Sequence, residues 1–131
     1  MALSDIHQPM FVVGTEKDHV SPWKSVYKIH RLADTQITFV LTNGGHNAGI
    51  VSEPGHPGRR HAIATRAADG PWQDPDQWQA GAERRDGSWW TSWQAWLVAQ
   101  GSGRRVAARR PPVVAGLPAA PGDHVHQCYT D

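Results

Sequence analysis

At 131 residues the chain is long enough for one domain with a modest core and no more. Thirteen Lys and Arg stand against 12 Asp and Glu, a formal net charge of +1, which gives no reason to expect nucleic acid or an anionic membrane as partner. Cys128 is the single cysteine, so an internal disulfide framework is excluded and a reducing compartment is expected. Met1-Ala2-Leu3-Ser4-Asp5 lacks the basic start and apolar core of a signal peptide. No apolar run approaches the roughly 20 residues of a spanning helix. These features lead us to expect a cytoplasmic protein.

Met10-Phe11-Val12-Val13-Gly14 is a short continuous apolar run, the pattern of a strand covered on both faces of a parallel sheet. It stops at the polar loop Gly14-Thr15-Glu16-Lys17-Asp18. Ser21-Pro22 reads as a helix start, Ser21 capping and Pro22 in the first helical position, where its missing N–H costs nothing. Trp23, Val26, Ile29, Leu32 and Ala33 then recur at helical spacing, with Lys24, Lys28 and Arg31 left for solvent. Ile37-Thr38-Phe39-Val40-Leu41 is rich in β-branched residues and predicts the second strand. Strand, helix and strand fit a right-handed crossover between parallel strands.

Residues 52–70, rich in Gly, Pro, Arg and His, carry no predicted element, and residues 71–100 hold six of the seven tryptophans. Asp74-Pro75 predicts a helix running to about Arg84, again with a cap and an N-terminal proline. Ser88 predicts the cap of a further helix that puts Trp89, Trp93, Trp96 and Leu97 on one face and Trp90 to the side. From residue 101 the chain is Pro-, Gly-, Ala- and Arg-rich, a flexible basic tail through Arg104-Arg105 and Arg109-Arg110 to Pro111-Pro112. His124 and His126 would face one side of a strand, but a metal site needs further ligands that the sequence does not offer.

The chemistry concentrates in two motifs. Asp18 follows the end of the first predicted strand, and His46 follows the second within Gly44-Gly45-His46-Asn47-Ala48-Gly49. Ligand sites of open α/β sheets lie at the carboxyl ends of the strands. If the two strands are neighbours about 5 Å apart, these short loops bring carboxylate and imidazole into hydrogen-bonding contact. The carboxylate would then fix the ring's tautomer and stabilise imidazolium. Gly44, Gly45 and Gly49 give the backbone around His46 access to positive φ and close packing. His19 reads as a neighbour that shapes the loop.

Val13-Gly14-Thr15-Glu16-Lys17-Asp18-His19-Val20, Pro22-Trp23-Lys24-Ser25-Val26-Tyr27-Lys28, and Thr42 to Gly58 resemble the C-terminal part of class I polyhydroxyalkanoate synthases. The resemblance continues at Gly87-Ser88-Trp89-Trp90 and Trp93-Gln94-Ala95-Trp96-Leu97, and weakly at Ala120-Pro121-Gly122. It implies the C-terminal portion of an α/β-hydrolase fold with an incomplete sheet: residues 1–100 as the end of the catalytic domain and residues 101–131 as tail. It also implies a Cys–Asp–His triad in that chain order, with Asp18 as the carboxylate and His46 as the imidazole. His46 would take the proton of a thiol that attacks a 3-hydroxyacyl-CoA thioester, and help deprotonate a 3-hydroxyl during chain transfer. No cofactor is implied beyond the CoA of the substrate. The implied partners are 3-hydroxyacyl-CoA, the growing polyester, the missing N-terminal portion of the synthase and, for the full-length form, a second copy; the implied location extends to the polymer granule surface.

The departure from that pattern is the nucleophile. It belongs upstream, in a Gly-x-Cys-x-Gly elbow between strand and helix, and nothing before Asp18 matches. Cys128 comes after His46, in a tail without elbow glycines, and reads as a free thiol. A synthase segment with two of three catalytic residues, inactive alone, is therefore expected. An esterase or depolymerase segment and a non-catalytic module that binds synthase or polymer granules are the alternatives. The tryptophans are expected to form a packing face against the sheet, the alternative being a greasy groove for polyester. With part of the sheet missing, some of this apolar surface should be exposed.

Overall fold

The computed structural model describes residues 2–108 and 116–128. Arg109, Arg110, Pro111 and Pro112 of the expected basic tail lie outside the described residues. The sheet runs in the order β1 (Met10–Thr15), β2 (Ile37–Thr42), β3 (Arg60–Arg66), β4 (Glu83–Asp86). The first pair is parallel, registered from Met10 opposite Ile37 to Thr15 opposite Thr42, as the two apolar runs predict. The other two pairs are antiparallel, so the sheet is mixed.

The connection between β1 and β2 departs from the single expected helix. It is two short pieces, α1 (Trp23–Val26) and α2 (Ile29–Leu32). Between them Lys28, His30 and Arg31 donate to carbonyls three residues back, at 3.2, 3.1 and 2.9 Å, the tighter 3-10 pattern. Threefold spacing sets Tyr27 and His30 one above the other, their rings 4.4 Å apart and both side chains buried. The inward residues are thus Tyr27, His30 and Ala33, with Trp23, Val26 and Ile29 partly buried, while Leu32 faces solvent. Ser21 does not cap: Pro22 holds the cap position, and the Ser21 N–H turns back to Asp18.

β2 is buried at every residue because it lies between two strands and two helical layers. Alternation sends Ile37, Phe39 and Leu41 to one face, where Tyr27, Ala33, Trp78 and Ala82 complete the core. Phe39 meets the Trp78 ring edge-on at 5.0 Å and Tyr27 at 5.1 Å, the geometry that aromatic quadrupoles favour. On the other face Phe11 of β1 meets Trp89 and Trp96 at 6.3 and 5.6 Å. Those indoles bracket the start of α4 (Trp90–Gln100), which covers this face.

β3 and β4 occupy stretches where the sequence predicts no strand. Asp74 caps α3 (Pro75–Gly81) as expected, accepting the Asp76 N–H at 2.9 Å, with Pro75 opening the helix. The helix stops at Gly81 rather than near Arg84. Glu83 to Asp86 instead pair with β3, which supplies their backbone partners at a sheet edge open to solvent. Trp89 is buried as the packing reading expects, whereas Trp93, Leu97 and Val98 are exposed. His124–His126 form a 3-10 turn, not the strand suggested by their spacing. Among the described residues no helix is long and apolar enough to cross a membrane.

Candidate active site

Parallel pairing of β1 and β2 brings the two expected loops side by side. The ladder runs past both strand ends: Glu16 donates to the Thr42 carbonyl and Lys17 to that of Gly44, each at 2.9 Å. Four donors then converge on the Asp18 carboxylate. Its Oδ1 accepts the backbone N–H groups of Val20 and Ser21 at 2.9 and 2.8 Å. Its Oδ2 accepts the Thr15 hydroxyl at 3.4 Å and His46 Nδ1 at 2.9 Å. The Ser21 N–H leads the causes that hold the Asp18 carboxyl down to about 2; partial burial opposes them, and His46 and Val20 add to them. The ionised carboxylate only accepts, so Nδ1 of His46 supplies the proton of this contact, and Nε2 is the ring nitrogen it leaves for other partners. The Asp18 side chain is 8% exposed and His46 is 48% exposed, an anchored acid beneath an accessible base.

The glycines divide the work unequally. Gly44 has φ +117°, and a Cβ there would lie 2.9 Å from Gly49 Cα. Gly49 needs no positive φ, but its added Cβ would sit 2.4 Å from Thr15 Cγ2, so it is the closest approach of the His46 loop to β1. Gly45 meets neither requirement, a narrower outcome than the glycine run suggested. His19 is exposed, outside the Asp18–His46 contact. Cys128 is an exposed free thiol.

Two further histidine clusters were not legible in sequence. His56 Nδ1 donates to Glu53 Oε1 at 2.8 Å inside the 52–58 turn, both side chains well exposed. His61 lies buried: Nδ1 donates to the Gly87 carbonyl at 3.2 Å, and the Ser92 hydroxyl donates to Nε2 at 3.0 Å. Arg85 reaches the Ser92 oxygen at 3.3 Å and pairs in bidentate fashion with Glu83. Both ring nitrogens of His61 are therefore occupied, and burial lowers its pKa, so this network fastens α4 to β3 and β4. The polar cleft beside it, lined by Arg60, Arg84 and Arg85 with Glu16 and Asp86, does not include Asp18 or His46.

The sequence also missed what steadies the His46 loop. Trp89 Nε1 donates to the Gly49 carbonyl at 3.0 Å, and Trp90 Nε1 to that of Ile50 at 2.9 Å. The Ser88 hydroxyl donates to the Ser52 carbonyl, while its oxygen accepts the Trp90 N–H at 3.0 Å; Trp89 rather than Ser88 holds the cap position of α4, and Ser88 serves the helix start from one residue before it. The available signal is that a buried indole N–H needs an acceptor. Among the described residues no group of three or more His, Cys, Asp or Glu side chains is placed to hold a metal ion.

No protein-family model matches the chain. Over 105 residues, 80% of this chain, it is 36% identical to the poly(3-hydroxyalkanoate) polymerase subunit PhaC of Cupriavidus necator, covering 17% of that protein. The PhaC subunit of Rhizobium etli is 36% identical over 128 residues, 95% of this chain and 19% of that protein. Poly(3-hydroxyalkanoate) polymerase 1 of Ectopseudomonas oleovorans is 34% identical over 127 residues, 95% of this chain and 22% of that protein. The chain thus spans about a fifth of the length of these curated relatives. Over nearly its whole length, this protein resembles the C-terminal part of a polyhydroxyalkanoate synthase.

Proposed function

We propose that this chain supplies the acid–base half of a polyester-forming acyl transfer, within an α/β-hydrolase sheet completed by a further portion of the synthase. The observation that carries this reading is the 2.9 Å contact between His46 Nδ1 and an Asp18 carboxylate held by two backbone N–H groups. It occurs in a chain similar to poly(3-hydroxyalkanoate) polymerases along 95% of its length. In this reading His46 Nε2 takes the proton of a cysteine thiol on the complementary portion. The thiolate attacks the carbonyl carbon of a 3-hydroxyacyl-CoA, the carbon–sulfur bond to CoA breaks, and the imidazolium returns the proton to the departing CoA sulfur. His46 then takes the proton of a 3-hydroxyl, whose oxygen attacks the acyl-enzyme carbonyl; the bond to the cysteine sulfur breaks, the imidazolium returns the proton to that sulfur, and the ester chain is extended. Asp18 keeps Nδ1 protonated and stabilises imidazolium throughout. β1 is an edge strand with half-buried apolar side chains, a suitable neighbour for the strand and elbow that carry the cysteine. We place the assembled enzyme in the cytoplasm, at the polymer granule surface, with no cofactor.

The test is complementation. The chain alone should release no CoA from 3-hydroxybutyryl-CoA above background, because an acid–base pair without a nucleophile forms no acyl-enzyme. Mixed or co-expressed with the N-terminal portion of a related synthase, it should release CoA and form polymer. Turnover by the chain alone that vanishes in Cys128→Ala would overturn the assignment and make Cys128 the nucleophile. A second reading, a non-catalytic module on synthase or polymer, draws on the exposed apolar side chains Trp93 and Leu97, which line a groove with Pro54 and Trp90. Binding of polymer with no complementation by any synthase portion would favour that reading.

A further inference from the structure

Resting on the acid–base reading of His46, we propose that Trp89 and Trp90 are positioning residues for that imidazole, acting through the Gly49 and Ile50 carbonyls. The turn bearing His46 is closed by the Gly49 N–H, which donates to the Gly45 carbonyl at 2.9 Å. Gly49 is therefore fixed at three points. Its N–H ties it to the residue before His46, its Cα rests on Thr15, and its carbonyl takes the Trp89 indole proton at 3.0 Å. Thr15 in turn donates to Asp18 Oδ2, the oxygen that faces His46. The Trp89 ring is buried beside Phe11 of β1, so its N–H has little freedom to follow the loop if the loop moves. Trp90 repeats the contact one residue along, at the Ile50 carbonyl. A loop that begins with glycines has little stiffness of its own. The two indoles, forty residues away in sequence, supply the restraint that keeps Nδ1 on Asp18 and Nε2 toward solvent. Removing the Trp89 N–H leaves the Gly49 carbonyl buried without this donor, a cost met by loop displacement.

The test uses the whole chain and reads His46 directly. Trp89→Phe keeps an aromatic ring against Phe11 and removes the N–H together with part of the bicyclic ring. In NMR spectra, exchange of the His46 Nδ1–H with water should accelerate at least fivefold, while the amide shifts of β2 stay in place. Trp93→Phe, on the same helix but exposed, should leave that exchange within a factor of two. A smaller acceleration in folded Trp89→Phe, or an equal one in Trp93→Phe, overturns the proposal. If Trp89→Phe fails to fold, Trp90→Phe decides by the same fivefold criterion. In the complemented enzyme either positioning variant should lower kcat at least fivefold with KM unchanged. If His46→Ala leaves that activity intact, the acid–base reading has failed, and the exchange measurement still decides whether the indoles hold the ring.

Discussion

Among the described residues stand two imidazole–carboxylate contacts of nearly equal length, and they differ in everything else. Glu53 and His56 meet at 2.8 Å within one turn, three residues apart, with exposures of 53% and 37%. Asp18 and His46 meet at 2.9 Å across 28 residues, and the carboxylate is 8% exposed. The local pair needs only a tight turn, and water competes for both partners. His56 is the leading cause that lowers the Glu53 carboxyl, whereas for Asp18 the leading cause is a backbone N–H, fixed before the imidazole arrives. Contact distance alone therefore does not mark a site. What sets the Asp18–His46 pair apart is a preorganised carboxylate and a position at parallel strand ends.

The largest effects that could break this contrast are catalytic. In the complemented enzyme, His46→Ala should abolish CoA release, and Asp18→Asn should lower kcat by several orders of magnitude. The comparable change in a serine protease costs about four orders. Cys128→Ser should leave the rate unchanged; damage equal to that of His46→Ala would mean the chemistry has been misplaced. Next in size is Gly49→Ala, whose Cβ would collide with Thr15. Overpacking of this kind costs about 1–3 kcal/mol. Urea unfolding should show that loss, and complemented activity should fall more steeply than stability explains, since the displaced loop carries His46.

Acid titration separates two buried contributions by pH window. Burial, reinforced by the Arg66 charge, holds His30 down to about 4, below its ordinary value near 6.5. Its stabilising share is full above that ordinary value and is lost as pH falls from there toward about 4. Asp18, lowered to about 2, contributes fully above the ordinary carboxylate value near 4 and loses its share only as pH falls toward 2. Replacing His30 by Leu should flatten the upper window of a stability–pH curve, and Asp18→Asn the lower one. A single merged transition unaffected by either change would contradict both assignments. The smallest expected effects belong to the solvent-facing pair. Glu53→Gln and His56→Ala should each change stability by less than about 0.5 kcal/mol and leave complemented activity within twofold. A catalytic loss there comparable to Asp18→Asn would erase the contrast.

Much of the candidate site was legible because its determinants are local. Apolar runs end sharply at Gly14 and at Asn43-Gly44, and each is followed by a chemistry-bearing side chain in a short loop. The parallel crossover follows from the helix-length segment between them. The broken helix was not legible, because Tyr27 and His30 turn inward only once Phe39 and Trp78 offer aromatic edges to meet them. β4 was missed for a related reason. Glu83-Arg84-Arg85-Asp86 has no strand pattern and takes extended form because β3 presents unpaired backbone beside it.

By itself, then, the sequence determined the strands β1 and β2, the loops that follow them, the pairing partners Asp18 and His46, and the likeness to polyhydroxyalkanoate synthases, all carried by residue type and short-range spacing. Only the tertiary structure decided that β3 and β4 extend the sheet antiparallel, that Gly49 rather than Gly45 is the point of closest packing, and that Trp89 and Trp90 hold the His46 loop through its carbonyls. Those outcomes depend on backbone groups finding partners far along the chain, and a backbone N–H or carbonyl leaves no mark in the amino-acid sequence of which partner it will take.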